Sequence, residues 1–181
     1  MYQDVIIAGF GGQGVMLIGN LLAYAAMDQG LKCTFMPVYG VEMRGGTANC
    51  TVVISDEDIG SPIVFSPKSL IVMNQPSVDK FQPRLQDGGV LVANTSIIDP
   101  AVLEQDRIRS FLVPANSIAE KLGTGKMANM VMLGAWLKAT GCLQLETVQG
   151  ALDRVFSKQN SRLIPLNEKG LAKGAEQVRG I

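Results

Sequence analysis

Six residues, Gly9-Phe10-Gly11-Gly12-Gln13-Gly14, follow directly on the apolar run Val5-Ile6-Ile7-Ala8. A buried strand that enters a glycine-dense turn and then a helix confines the chain to α/β architectures. Glycines permit the sharp reversal, and the helix presents unpaired N–H groups and a positive dipole end at the turn. The spacing also satisfies Gly-x-Gly-x-x-Gly, the dinucleotide-binding fingerprint.

Beyond the turn, strand and helix signals alternate. Residues 5–9 read as a buried strand. Residues 15–29 are apolar almost all round and predict a helix buried on most sides, closed by Gly30. Residues 33–36 form a second strand that Pro37 stops, and 38–47 a glycine-rich loop. Residues 48–55, with Thr51, Val52, Val53 and Ile54, form a third strand. Further strands are expected at 70–73, 90–93 and 108–113, with a short helix over 77–85. The last third is helical, over 117–122, 129–140, 146–156 and 167–178; Gly170 and Gly174 weaken the last of these. The expected fold is α/β, a three-layer α/β/α arrangement with a largely parallel central sheet and a helical C-terminal third. Residues 1–181 are expected to form a single domain.

Composition excludes several functional classes. The chain has no histidine, which removes the commonest general base and zinc ligand and every Ser–His or Cys–His pair. Cys33, Cys50 and Cys142 are widely spaced and form no Cys-x-x-Cys, so no usual iron–sulfur ligand pattern exists; they read as buried small hydrophobes. Formal net charge is zero, without the basic excess that nucleic-acid binding needs. No apolar run approaches the roughly 20 residues of a membrane span, and Met1-Tyr2-Gln3-Asp4 lacks a basic leader, so a cytoplasmic chain is expected. A charged fraction of 18% with mean hydropathy +0.22 hints that partners cover some apolar surface; a well-packed α/β domain accounts for it equally.

The fingerprint lacks its main companion. A Rossmann site usually carries an acidic residue about 20 positions on, at the end of the second strand. Met36 and Pro37 stand there, and Glu42 and Arg44 are displaced into the glycine-rich loop. The turn then reads either as tight strand-to-helix packing or as a cradle for an anionic group at Gly11, Gly12, Gln13 and Gly14. It is not a P-loop, because no Gly-Lys-Ser/Thr follows. The second loop, Tyr39-Gly40-Val41-Glu42-Met43-Arg44-Gly45-Gly46-Thr47, sets a cation beside exposed backbone at Arg44, Gly45 and Gly46, which suits a carboxylate or phosphate. The plain alternative is an Arg44–Glu42 pair that stiffens the loop. Asn74 follows a strand and is placed either at the same sheet edge or in a local turn bonded to its own backbone. Asn129 reads as a helix N-cap, and Lys126 as a solvated charge.

These segments together resemble the gamma subunit of the 2-oxoacid:ferredoxin oxidoreductases, the family of pyruvate, 2-ketoisovalerate, indolepyruvate and 2-oxoglutarate enzymes. The resemblance rests on residues 9–15 (GFGGQGV), 22–26 (LAYAA), 39–50 (YGVEMRGGTANC) and 52–62 (VVISDEDIGSP). It continues through 73–81 (MNQPSVDKF), 129–141 (NMVMLGAWLKATG) and 165–176 (PLNEKGLAKGAE). It implies a complex that oxidatively decarboxylates a 2-oxoacid with coenzyme A to acyl-CoA, carbon dioxide and reduced ferredoxin. It also implies alpha, beta and delta partner subunits that carry the thiamine diphosphate and iron–sulfur clusters. The chain itself would be inactive alone and would hold no cofactor firmly. Its contribution would be to assembly and to contact with coenzyme A through Gly11, Gly12, Gln13, Gly14, Arg44, Gly45, Gly46 and Asn74. A free-standing nucleotide-binding protein that uses the glycine turn is the alternative from another class.

Overall fold

The computed structural model describes residues 1–39 and 47–178. Six strands form one sheet: β1 (Tyr2–Phe10), β2 (Lys32–Tyr39), β3 (Thr47–Ser55), β4 (Ser69–Val72), β5 (Val90–Asn94) and β6 (Arg109–Val113), in the order β2-β3-β1-β4-β5-β6. β1, β4, β5 and β6 pair in parallel, whereas β3 is antiparallel to both β1 and β2. Five strands therefore point one way and only β3 runs against them, which is the largely parallel sheet expected.

Two expectations are corrected in detail. β2 does not stop at Pro37 but continues to Tyr39, pairing Pro37 with Cys50 and Tyr39 with Ala48. β2 is the outermost strand, and an edge strand tolerates a residue without an N–H because only one side needs the ladder. The stretch 146–156 is not one helix; it breaks at Ala151.

Alternation along the strands divides the core in two. Val5 and Ile7 of β1, Val52 and Ile54 of β3, and Val92 of β5 face one cluster. That cluster is covered by α1 (Val15–Asp28), α3 (Ala115–Lys121), α4 (Ala128–Thr140), α5 (Leu145–Gly150), α6 (Leu152–Val155) and α7 (Ile164–Ala175). Ile6, Ala8, Leu70, Val72, Leu91 and Ala93 face the other cluster. It is covered by the seven-residue α2 (Gln75–Phe81), by 3-10 turns at Gln82–Arg84 and Pro100–Val102, and by Ile98, Leu103 and Ile108. The sheet thus has a thick helical face and a thin one.

On the thick face α4 is buried almost all round, which is why its sequence shows little amphipathic contrast. Trp136, fully buried, donates from Nε1 to Ser69 Oγ at 2.9 Å, and Ser69 Oγ in turn donates to the Asp4 carbonyl at 2.6 Å. α7 lies against α4 so closely that a Cβ at Gly174 would collide with the Val131 carbonyl, and one at Gly134 with the Leu171 carbonyl. Of the two glycines that weaken α7 as a helix, Gly174 is thus the contact that docks it. Of the three cysteines expected to be buried, Cys50 is, while Cys33 and Cys142 are half-buried against the same cluster; burial raises all three thiol pKa values, Cys50 to about 12 and Cys142 to about 11. Among the described residues no helix is long and apolar enough to cross a membrane.

Candidate functional site

The carboxyl-end edge of the sheet carries the glycine turn. Gly12 (φ 96°) and Gly14 (φ 76°) both occupy the left-handed region that side chains disfavour, so the reversal between β1 and α1 depends on glycine at both. Gln13 closes the turn on itself. Its N–H donates to the Phe10 carbonyl at 3.1 Å, and its Oε1 accepts from Phe10 N at 2.7 Å. Gln13 Nε2 donates to the Met73 carbonyl at 3.2 Å, which ties the turn to the end of β4. Gly14 is the N-cap of α1 and has no side chain with which to satisfy the first-turn N–H groups, so these donors remain at the edge.

Side chains from distant segments converge beside this turn. A cavity of about 210 Å³ is lined by Gly12, Gln13, Met73, Asn116, Lys126 and Asn129, with Gly125 and Ala128. Asn129 is not the N-cap of α4, a position that Met127 occupies. It lies inside the first turn, and its Nδ2 reaches the Gly14 carbonyl at 3.5 Å. A Cβ on Gly14 would run into that amide, so the glycine is also required by its neighbour across the fold. Asn116 is held by the fully buried Asn94 at the end of β5, which donates from Nδ2 to Asn116 Oδ1 at 2.8 Å and accepts from Ala115 N at 3.2 Å. Among the described residues that line the cavity, Lys126 is the one ionised side chain and there is no carboxylate. An amide-walled pocket with one ammonium, open beside a helix N-terminus, suits an anionic group.

Of the residues picked from the sequence, Gly12 and Gln13 line this cavity; Gly11 and Gly14 shape the turn without lining it. Asn74 is buried and caps α2, with Oδ1 accepting from Ser77 N at 3.0 Å; its Nδ2 stands 3.5 Å from Gln13 Oε1. It positions Gln13 and does not line the cavity. Arg44, Gly45 and Gly46 lie outside the described residues. The strands on either side reach the same edge, since Thr47 pairs with Phe10 and Tyr39 with Ala48. Sequence reasoning read Asn129 as an N-cap and Lys126 as a solvated charge, passed over Asn116, and joined none of the three to the turn. They sit about 100 positions from the turn, and no local spacing connects them to it.

The sheet order also bears on the dinucleotide fingerprint. β3 is inserted between β1 and β2, so the end of β2, where a ribose-binding acid would stand, is a full strand removed from the turn. That displacement is roughly 5 Å beyond the usual neighbour spacing, and it adds a second departure to the missing acidic residue. Among the described residues no group of three or more Cys, Asp or Glu side chains is arranged to hold a metal ion.

Comparison with known proteins agrees with the fold. The family model for pyruvate ferredoxin/flavodoxin oxidoreductase matches residues 4–177. The ketoisovalerate oxidoreductase subunit VorA of Methanothermobacter marburgensis is 42% identical over 177 residues, which is 97% of this chain but 36% of that protein. The chain therefore spans about a third of the length of that relative. The pyruvate/ketoisovalerate oxidoreductases common subunit gamma of Thermococcus kodakarensis is 34% identical over 97% of this chain and 94% of its own. The crystal structure of a keto/oxoacid ferredoxin oxidoreductase gamma subunit from Geobacter sulfurreducens superposes with a TM-score of 0.84, at 26% identity, over 98% of this chain and 96% of that one.

Proposed function

The chain belongs to the pyruvate ferredoxin/flavodoxin oxidoreductase family, and on that premise we propose that it is the gamma-type subunit of a cytoplasmic 2-oxoacid:ferredoxin oxidoreductase. The complex would convert a 2-oxoacid and coenzyme A to acyl-CoA and carbon dioxide while it reduces ferredoxin. Alpha, beta and delta partners would carry the thiamine diphosphate and the iron–sulfur clusters, and this chain would contribute assembly and a contact to coenzyme A. No step of the chemistry is assigned to its side chains.

The observation that carries the coenzyme A contact is the anion-suited cavity at the carboxyl-end edge, walled by Gly12, Gln13, Asn116 and Asn129 and charged, among the described residues, only by Lys126. The α1 N-terminus and Lys126 would hold phosphate oxygens through N–H donors and an ammonium. Gly11 and Gly14 would keep the turn open, and Asn74 would keep Gln13 in place. Arg44, Gly45 and Gly46 extend the same reading by their chemistry, because the strands that flank them end beside Phe10.

The test is the apparent KM for coenzyme A of the assembled complex carrying Arg44→Ala or Lys126→Ala. Loss of one charge-assisted hydrogen bond to a phosphate raises KM by about 10- to 100-fold with subunit composition unchanged. An unchanged KM in both variants would remove coenzyme A from this chain. A complex that loses this subunit in the Arg44 variant would assign Arg44 to the interface instead.

A further inference from the structure

One apolar feature of the thin face is presented to solvent on a rigid support. Residues 61–66 (Ser-Pro-Ile-Val-Phe-Ser) lie between β3 and β4, and in them Phe65 is 79% exposed and Ile63 54% exposed. The backbone beneath them is pinned. Arg84 donates from Nε to the Phe65 carbonyl at 2.9 Å and from Nη2 to the Val64 carbonyl at 3.0 Å. Ser66 Oγ returns a bond to the Arg84 carbonyl at 2.9 Å, and Gln86 Nε2 donates to the Ser66 carbonyl at 2.7 Å. The same 3-10 turn holds a third exposed apolar residue, since Gln82 Nε2 donates to the carbonyl of Val102, itself 43% exposed. Four side-chain hydrogen bonds therefore hold a segment whose own apolar side chains bury little.

An exposed Phe costs solvation free energy, and fixing its backbone in advance lowers the ordering cost of binding. That combination is what an interface anchor requires: a large aromatic presented rigidly, with polar groups around its base. The occupant follows from the relatives. In the ketoisovalerate relative this unit is 36% of one polypeptide, so the same fold there is continuous with a further region about twice its size.

We propose that residues 61–66 are a preformed docking hook, and that Phe65 and Ile63 insert into an apolar pocket on the oxidoreductase unit homologous to the rest of that relative's chain. The proposal rests on the gamma-subunit reading given above and adds to it the surface by which the subunit is held. Arg84, which holds the Val64 and Phe65 carbonyls, fixes one guanidinium at the base of the hook.

The test is co-expression of the full chain, as wild type, Phe65→Ser or Met27→Ser, with that homologous unit. Association is measured by titration of the purified partners, and folding by thermal melting of each variant alone. Met27 is a control of comparable exposure on α1, on the opposite face of the sheet. The hook predicts a Kd weakened on the order of 30-fold or more for Phe65→Ser, an unchanged Kd for Met27→Ser and melting temperatures equal to wild type. Equal association of wild type and Phe65→Ser overturns the hook alone. Self-association that Phe65→Ser abolishes while partner binding persists makes a second copy the occupant and overturns the proposal. A wild-type chain that binds no such unit overturns both the hook and the functional reading on which it rests.

Discussion

The two faces of the sheet are built to different standards of cover. One carries six helices and a core that reaches from Val5 and Val52 out to Trp136 and Leu171. The other carries one seven-residue helix and a set of turns over Ile6, Leu70, Val72 and Leu91. Both faces exclude water from the strands, since β1, β3, β4 and β5 bury residues of both parities. The difference lies in depth. A second layer of helices keeps the first from shifting, whereas a single layer of turns can settle when a side chain is removed. Thick cover makes a scaffold; thin cover leaves apolar side chains such as Phe65 and Ile63 available outside it.

Truncation of matched aromatics tests this contrast most strongly. Trp136→Ala on the thick face should cost about 4–5 kcal/mol in urea unfolding, because α4 is enclosed and the void cannot close. Phe81→Ala on the thin face should cost nearer 3 kcal/mol, because α2 can move inward. Equal losses would show that the two faces are equally rigid.

The helix contact within the thick face gives a smaller effect. Gly174→Ala sets a methyl against the Val131 carbonyl and should cost about 2–3 kcal/mol. Gly150→Ala, in open space at the end of α5, should be neutral or stabilising by up to about 1 kcal/mol. Denaturation midpoints of the pair distinguish close packing from loss of glycine as such.

The smallest effect is electrostatic and belongs to the thin side, where Asp4 shares the parity of Ile6 and Ala8 along β1. Burial holds the Asp4 carboxyl above its ordinary 3.8, against a weaker downward pull from the Lys68 N–H, which donates to Oδ1 at 2.7 Å, and from the Lys68 ammonium. A group whose pKa is raised by folding binds more protons folded than unfolded. Its contribution to stability is complete below 3.8 and is lost as pH rises through the folded value. Asp4→Asn keeps the acceptor for Lys68 N and removes the charge. The variant should gain stability over wild type near neutral pH, and the gain should fade as pH falls through the raised folded value and be gone below 3.8. A pH series of chemical denaturation curves measures it; a gain that persists undiminished into acid would assign the effect to something other than ionisation.

Much of the fold was legible because local rules agree with one another. The apolar run 5–8 followed by glycines marks β1 and its turn, Gly30 and Gly141 mark the ends of α1 and α4 with positive φ, and β-branched residues mark β3. Pro37 misled because its effect depends on whether a strand lies at the edge of its sheet, and edge position is a property of the whole sheet. Gly174 misled because a residue that weakens a helix in isolation can be the one that lets it dock. The candidate site divides in the same way. Gly12, Gln13 and Gly14 were readable from spacing, whereas Asn74 serves as a cap that orients Gln13, and Lys126, Asn116 and Asn129 carried no signal that linked them to the turn.

What the sequence determined by itself is the grammar of short range: where the backbone can reverse, which stretches are apolar enough to bury, and which chemistries the missing histidines and unclustered cysteines exclude. Those features depend on residues within a few positions of one another, or on composition alone. Only the tertiary structure decided that β3 runs between β1 and β2, that the glycine turn meets an amide wall contributed by α3 and α4, and that one face of the sheet is left thin. Each of these joins segments up to about 115 residues apart, as Asn129 and Gly14 are. Contacts of that range are selected by how whole layers pack, which no local pattern in the chain records.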